Sequence, residues 1–386
     1  MQPADVPLPD GPVDIRGALD LERTKAGLRP WRLPSWTRPQ IPSPFCELVV
    51  AQPSGVRMVF GTEATALELD VLTTKTLYAA TGEVDPGGVF ELVVDGAPAQ
   101  QVATPDGKVL ALDPAGVKPP EITPGEPATV RFGALPPGRK QVEIWLPQSA
   151  QVELIALRAD GPVYPPEPET RRRWVHHGSS ISHCGEADSP LGTWPVVAAR
   201  TADVDVLNLG FSGNAMLDPF TARTIRDLPA DWISLKLGIN VVNADAMRLR
   251  AFEPAVHGFL DTVREGHPET PLLVVSPILC PMVEDRPGPT LPAVEDGVLR
   301  FYSAGDPAQL AAGALSLSVI RDALRRIVAE RSATDPNLHY LDGRELFGEE
   351  DLDDLPDALH PNAAGYRRMG ERFAALAFAD GGPFAR

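Results

Sequence analysis

The 386-residue chain holds only three cysteines, Cys46, Cys184 and Cys280, far apart and without a CxxC pair. That spacing argues against a disulfide framework or a structural zinc site. Basic residues are scarce: 35 Lys and Arg against 52 Asp and Glu leave a formal net charge of −17. Binding to nucleic acid needs clustered cations that displace counterions from phosphates, so no nucleic-acid partner is expected. Anionic lipid is disfavoured for the same reason. No window approaches the roughly 18 consecutive apolar residues of a membrane-spanning helix, so no membrane partner is expected. The opening MQPADVPLPDGPVDIRG lacks the positive cluster and apolar run of a secretory signal, and a cytoplasmic location is the expectation.

What is present is globular composition, 43% hydrophobic and 23% charged. The length suggests two domains at roughly 150 residues each. The 42 prolines point to abundant loops and edge strands. Residues 1–44 are Pro-rich without clear periodicity and read as an arm, pinned to a domain surface by Trp31, Leu33 and Trp36. Over residues 45–160 apolar residues alternate: Leu67, Leu69 and Val71; Phe90, Leu92 and Val94; Val142, Ile144 and Leu146. Turn signals separate these runs at Asp85-Pro86-Gly87-Gly88, Asp106-Gly107 and Pro136-Pro137-Gly138. Short strands at such spacing predict an all-β, jelly-roll-like sandwich. Helical patterning is almost absent there. Residues 161–171 begin GPVYPPEPET and read as a Pro-rich linker.

In residues 172–386 the pattern changes to strand and helix in alternation. The strands are RRWVHHG, VDVLNLGF, WISLKLG, PLLVVSP and LHYLDG. The helices are Trp194–Thr201, a stretch around TARTIRDL, one from Pro254 to about Glu265, SLSVIRDALRRIVAER, and a last one from about Pro361. Five alternations predict a doubly wound, parallel five-stranded α/β sheet. Residues 280–312 interrupt the alternation as a long loop. It leaves the carboxyl end of a strand, where open parallel sheets bind ligands.

The segments after the strands carry a hydroxyl in Gly178-Ser179-Ser180, a Gly-rich turn in Gly210-Phe211-Ser212-Gly213-Asn214, and a side-chain amide in Gly238-Ile239-Asn240. A carboxylate–imidazole pair, Asp357-Ala358-Leu359-His360, precedes the last helix. Acyl transfer needs a nucleophile, a base, an acid to orient the base, and donors for the oxyanion. These four segments resemble, in order, the blocks of the SGNH (GDSL-type) hydrolase superfamily, over about residues 172–379. The resemblance implies a flavodoxin-like fold with Ser180 as nucleophile, His360 as base and Asp357 as its partner. It implies an oxyanion hole built from the Ser180 N–H, the Gly213 N–H and the Asn240 side chain. Ser179 stands where the first block usually carries Asp, and Val241 where the third often continues with Asp.

Each residue also has a plainer reading. Ser180 could cap a helix. Ser212 in Gly-x-Ser-Gly is a rival nucleophile, although Asn214 replaces the second glycine of an α/β-hydrolase elbow. Asp357 and His360 could cap the last helix, and Asn240 could brace a loop. His176 and His177 point to opposite faces of a strand and cannot share an ion. No metal and no cofactor is therefore expected, and His183 or Cys184 should line pocket or core. Trp31, Trp36 and Trp145 could form a sugar-binding face, but buried packing is the commoner role. Glu349 to Asp354 reads as a solvated loop.

The expected function is serine acyl transfer through an acyl-serine, leaning towards an acyltransferase that moves an acyl group from a small-molecule ester or thioester donor to a hydroxyl acceptor. Absence of an export signal, and shielding of the acyl-enzyme from water by residues 280–312 and the N-terminal domain, favour that side. The alternatives are an esterase acting on acyl esters of a carbohydrate or small molecule, and a carbohydrate-binding protein whose hydrolase half is inactive. Nothing in the pattern speaks to oligomeric state.

Overall fold

Alternating apolar side chains bury one face of a strand and leave the other to water, and that rule builds the first half of the chain. The structure, a computed structural model, describes residues 4–78, 82–84, 87–111, 120–295 and 298–385. It divides into two compact units, Met1–Thr170 with Asp188–Leu191, and Arg171–Ala187 with Gly192–Arg386.

The first unit contains a nine-stranded and a six-stranded sheet. Leu67, Leu69 and Val71 from one sheet share a single buried core with Phe90, Leu92, Val142 and Ile144 from the other. Leu67–Tyr78 pairs antiparallel with Gln151–Ala159, and Lys140–Trp145 lies between Arg57–Thr62 and Val89–Val94. On the outer face Asp70 takes a two-pronged ion pair from Arg158, which holds its carboxyl below the usual range.

Two expectations change here. Residues 1–44 are not a docked arm: Ala4–Val6, Asp14–Arg16 and Leu28–Trp31 each pair with a strand of the sandwich, and Asp20–Arg23 extends the sheet beyond Leu28–Trp31. Strands of three or four residues are too short to display a period of two. Pro44–Ala51 is a helix capped by Ser43, in a stretch where helical patterning is almost absent. Trp31 and Trp145 are buried, each donating its indole N–H to a glutamate, Glu22 and Glu143, so neither offers a face to sugar. Leu33 is buried and Trp36 is exposed. Of the turn signals, Asp85 and Pro86 lie outside the described residues.

In the second unit, numbered by itself, five strands form one parallel sheet: β1 Arg173–Gly178, β2 Asp205–Gly210, β3 Trp232–Lys236, β4 Leu272–Val275 and β5 Leu338–Leu341. Their order is β2-β1-β3-β4-β5, every pair parallel. The chain thus reverses its direction of travel across the sheet between β1 and β3, and sheets with this reversal collect ligands at the carboxyl ends beside it.

The helices are α1 Ser180–His183, α2 Trp194–Ala202, α3 Pro219–Asp227, α4 Ile239–Asn243, α5 Leu249–Gly266, α6 Leu317–Arg331 and α7 Ala363–Phe373. α2 packs on α7, and α3 on α5. Trp174 of β1 stacks on Phe373 of α7 at 4.9 Å, and Tyr366, Met369 and Phe373 of α7 are buried. α5 begins five residues before the expected Pro254. That proline sits exposed inside the helix, where its missing N–H removes one backbone bond without breaking a buried contact. No helix among the described residues is long and apolar enough to cross a membrane.

Residues 280–312 are more than a loop. Thr290–Glu295 and Val298–Ser303 pair as an antiparallel hairpin between short 3-10 turns at Pro281–Val283 and Pro307–Ala312. The dipeptide Asp296-Gly297 between two apolar runs is a known hairpin signal in sequence, obscured here by Pro292 and the surrounding prolines.

Candidate active site

β1 ends in Gly178, and the chain turns at once into α1. Ser179 is the N-cap of that helix, its Oγ accepting the Ile181 N–H at 3.3 Å. The capping duty considered for Ser180 thus falls to its neighbour, and the Ser180 hydroxyl is free for other work. α1 lies hard against the end of β2. A Cβ on Gly210 would come within 2.5 Å of the His183 backbone nitrogen, so only glycine permits this approach. Asn208 fastens the same junction, donating to the Ser182 carbonyl at 2.9 Å and accepting from the Gly210 N–H at 2.9 Å.

Beneath α1 runs a buried polar chain. The Trp174 Nε1–H donates to Ser234 Oγ at 2.8 Å; Ser234 meets His176 Nδ1 at 2.7 Å; His176 Nε2 meets Ser182 Oγ at 2.8 Å. Burial pushes the His176 pKa well down, so the ring is neutral. His177 Nδ1 turns to the other face and meets the Leu209 carbonyl at 2.7 Å. His183 and Cys184 are buried in the core at the end of α1.

The side chains of Ser180, His360 and Asp357 are brought together across 180 positions of sequence. His360 Nε2 stands 2.9 Å from Ser180 Oγ, and His360 Nδ1 stands 2.6 Å from Asp357 Oδ2. Asp357 uses its other oxygen to accept the Leu359 and His360 N–H groups at 2.8 and 2.7 Å, which folds its loop around the ring. Asn362, not Asp357 or His360, caps α7. Phe301 of the hairpin donates its N–H to the Asp357 carbonyl at 2.9 Å and sets its ring edge-on to His360 at 5.7 Å.

Charge follows geometry. Burial disfavours the His360 imidazolium, but the carboxylates of Glu186 and Asp357 outweigh it and push the pKa up to about 9. For Asp357 burial works upward, and the His360 hydrogen bond and charge win, holding the carboxyl below its ordinary range.

Asn240 lies in the first turn of α4, buried, with its Oδ1 accepting the Ala215 N–H at 3.0 Å. That bond fixes the amide orientation and leaves Nδ2 to donate. Gly213 adopts φ +67° in the turn closed by the Asn214 N–H on the Phe211 carbonyl at 3.0 Å, two residues before Ala215. Ser180, His360 and Asp357 are thus joined by direct hydrogen bonds, and Asn240 is tied to the turn that carries Gly213. The imidazole is on Ser180 rather than Ser212. Glu349 to Asp354 is a 3-10 segment whose Asp351 and Asp354 pair with Arg368, so it is no freely solvated run.

Sequence reasoning missed two groups. Glu186 comes within 3.7 Å of His360 Nδ1, from a loop with no motif of its own. Lys236 ends β3 fully buried, its Nζ without a hydrogen-bond partner among the described residues, and burial pushes its pKa down to about 7. An apolar strand with one lysine among its residues was the available signal.

Residues 177–368 match the GDSL-like Lipase/Acylhydrolase family, and residues 13–155 match the SsfX3 N-terminal domain. No curated protein matches the sequence. Among solved structures, the chain is similar to the salicylyl-acyltransferase SsfX3 from a tetracycline biosynthetic pathway. The two are 28% identical over 96% of this chain and 95% of that one, with a TM-score of 0.78. A protein from Bacteroides ovatus ATCC 8483 described as a GDSL-like lipase shares the fold at 16% identity and a TM-score of 0.66, covering 94% of each chain. A family two carbohydrate esterase from Clostridium thermocellum shares it at 15% identity and 0.55, over 83% and 91%. Residues 177–368 thus form a domain of the GDSL-like lipase/acylhydrolase family, preceded by an N-terminal domain of the SsfX3 kind.

Proposed function

We propose that the protein is a serine acyltransferase, moving an acyl group from a small-molecule ester or thioester to a hydroxyl of a small molecule or natural product. The observation that carries this reading is the 2.9 Å approach of His360 Nε2 to Ser180 Oγ, with Asp357 on the opposite ring nitrogen. Ser180 Oγ attacks the acyl carbonyl carbon as its proton passes to His360 Nε2, and Asp357 steadies the imidazolium. The oxyanion draws on the Ser180 N–H, the Gly213 N–H and Asn240 Nδ2. Collapse returns the proton to the leaving oxygen or sulfur and leaves an acyl-serine. His360 then takes the acceptor's proton as the acceptor oxygen attacks the acyl carbon; the bond to Ser180 Oγ breaks, His360 returns the proton to Oγ, and the product ester departs.

The scaffold in this reading is a flavodoxin-like, doubly wound sheet that follows a jelly-roll-like sandwich in sequence. Transfer is preferred to hydrolysis because the likeness to a salicylyl-acyltransferase runs the length of both chains at 28% identity. An aromatic acyl group and a polycyclic hydroxyl acceptor are accordingly the first substrates to try. Water as acceptor would make the same acyl-serine an esterase, the second reading.

Mass spectrometry of products separates the two. Acyl esters and thioesters are offered with and without hydroxyl acceptors. Transfer predicts a new ester that outcompetes free acid once acceptor is present. Free acid at an unchanged rate with every acceptor would overturn transfer in favour of hydrolysis, and no turnover with any donor would overturn both.

A further inference from the structure

The imidazole of His360 is faced by more than one anion. From its own loop comes Asp357, hydrogen-bonded to Nδ1 at 2.6 Å. From the segment following α1 comes Glu186, whose Oε1 lies 3.7 Å from the same nitrogen. α1 itself presents the neutral Ser180 hydroxyl, the hairpin presents the uncharged edge of Phe301, and the Cys280 thiol donates to the Ala358 carbonyl behind the ring at 3.4 Å. α7 presents Tyr366, which is fully buried and donates its hydroxyl to Glu186 Oε2 at 2.8 Å. Burial and the neighbouring glutamate push the Tyr366 pKa well up, so the phenol keeps its proton and remains a donor.

The geometry of Glu186 differs from that of Asp357. At 3.7 Å it is too far to hold the Nδ1 proton itself, but close enough to act on the charge of the ring. Its carboxylate is partly exposed, and free rotation into solvent would dilute that effect. The Tyr366 hydroxyl removes this freedom by gripping the oxygen that points away from His360. A buried tyrosine on α7, 180 positions away, thus holds a surface glutamate against the imidazole.

We propose that Glu186, clamped by Tyr366, is a positioning residue of the acyl-transfer site: a second carboxylate that stabilises the imidazolium each time His360 takes a proton from Ser180 or from the acceptor. The inference rests on the proposed role of His360 as base. No proton passes to Glu186. The proton leaving Ser180 Oγ ends on His360 Nε2, Asp357 keeps the Nδ1 proton in its hydrogen bond, and Glu186 contributes charge alone. Two anions beside one ring raise its proton affinity in the resting enzyme and lower the energy of the charged ring in the transition state.

The test is Glu186→Gln, which keeps an acceptor for Tyr366 and removes the charge. The His360 ring is titrated by NMR in the full chain, its signals assigned by their loss in His360→Gln. An opposite charge within about 4–6 Å is worth roughly 1–3 pH units, so the His360 midpoint moves down by about one unit or more. The acid limb of kcat/KM follows it, kcat on the alkaline plateau falls about tenfold, and KM stays within about twofold. Tyr366→Phe gives a smaller shift in the same direction, and added salt narrows the gap between wild type and Glu186→Gln, because a partly exposed charge is screened. If the His360 midpoint moves by less than about 0.3 unit in Glu186→Gln while Ser180→Ala and His360→Gln are inactive, the inference on Glu186 falls and the acyl-transfer reading stands. If His360→Gln keeps wild-type turnover, the acyl-transfer reading falls first.

Discussion

Replacing Asn240 with Asp changes one N–H donor into an oxygen and leaves the rest of the side chain in place. In the native site Asn240 Oδ1 accepts the Ala215 N–H at 3.0 Å, so the amide nitrogen has nowhere to point but away from that bond. Asp can make the same bond to Ala215, so the turn keeps its tie while the amide donor is lost. Loss of one oxyanion donor typically costs about 2.7–4 kcal/mol of barrier, or roughly 10²–10³ in kcat. The added negative charge beside a developing oxyanion increases that cost, so 10² is the floor. Asn240→Ala is the structural control. It strands the Ala215 N–H, and Ala215 is 1% exposed, so about 1–3 kcal/mol of stability goes with it. The assay is kcat on an activated acyl ester, with thermal unfolding measured alongside. Asp should lower kcat at least about a hundredfold in the folded enzyme, with Tm reduced because the site is buried and the new carboxylate loses its water, and Ala should lower both. An Asn240→Asp enzyme within threefold of wild-type kcat, folded and saturable, would refute the oxyanion role and reduce Asn240 to a brace for the 211–215 turn.

Ser180→Ala should abolish turnover and labelling by an organophosphonate while leaving Tm unchanged; retained labelling would move suspicion to Ser212. Asp357→Asn should cut kcat by up to about 10⁴, because the amide favours the wrong His360 tautomer, and near wild-type rates would mean that another group orients the ring. Lys236→Met should stabilise the protein. The folded-state pKa of about 7 lies below the ordinary 10.5, so folding forfeits protons that the unfolded chain keeps. The penalty is full below about 7, fades as pH climbs, and vanishes once both states carry a neutral amine. Chemical denaturation should find a gain on the order of a few kcal/mol near pH 7 and a much smaller one at pH 10; an equal gain at both would assign it to packing.

Legibility in the sequence follows the range of the interaction that decides each feature. The alternation after residue 171 is local, and β1 to β5 fall on the runs that periodicity marks. Asp357 and His360 are three residues apart, close enough for one loop to carry acid and base, and that spacing is readable. Ser180 is readable only through its block. Among Ser179, Ser180 and Ser182, sequence alone offers little choice, whereas the structure spends Ser179 on the cap and Ser182 on His176. What stayed hidden depends on distant partners. Glu186 belongs to no motif, and its value comes from His360 and Tyr366, which reach it from the other end of the chain. The strands of the first 44 residues are too short to show a period, and they exist because longer strands offer them an edge to pair with.

The same contrast bears on how one short peptide can be rigid and still carry the proposed nucleophile. Gly178-Ser179-Ser180-Ile181-Ser182 carries three hydroxyls, and two of them are consumed in holding α1 to the sheet: Ser179 by the Ile181 N–H, Ser182 by His176 and the chain through Ser234 to Trp174. Each is fully buried, and each would leave a partner unsatisfied if removed, so their loss should appear in stability. Ser180 lies between them and is only partly buried, its hydroxyl within hydrogen-bond distance of the His360 ring. A nucleophile must be held at hydrogen-bond distance from its base and still be able to leave that bond for carbon. Flanking serines that fix the backbone, with the base on the hydroxyl between them, meet both demands.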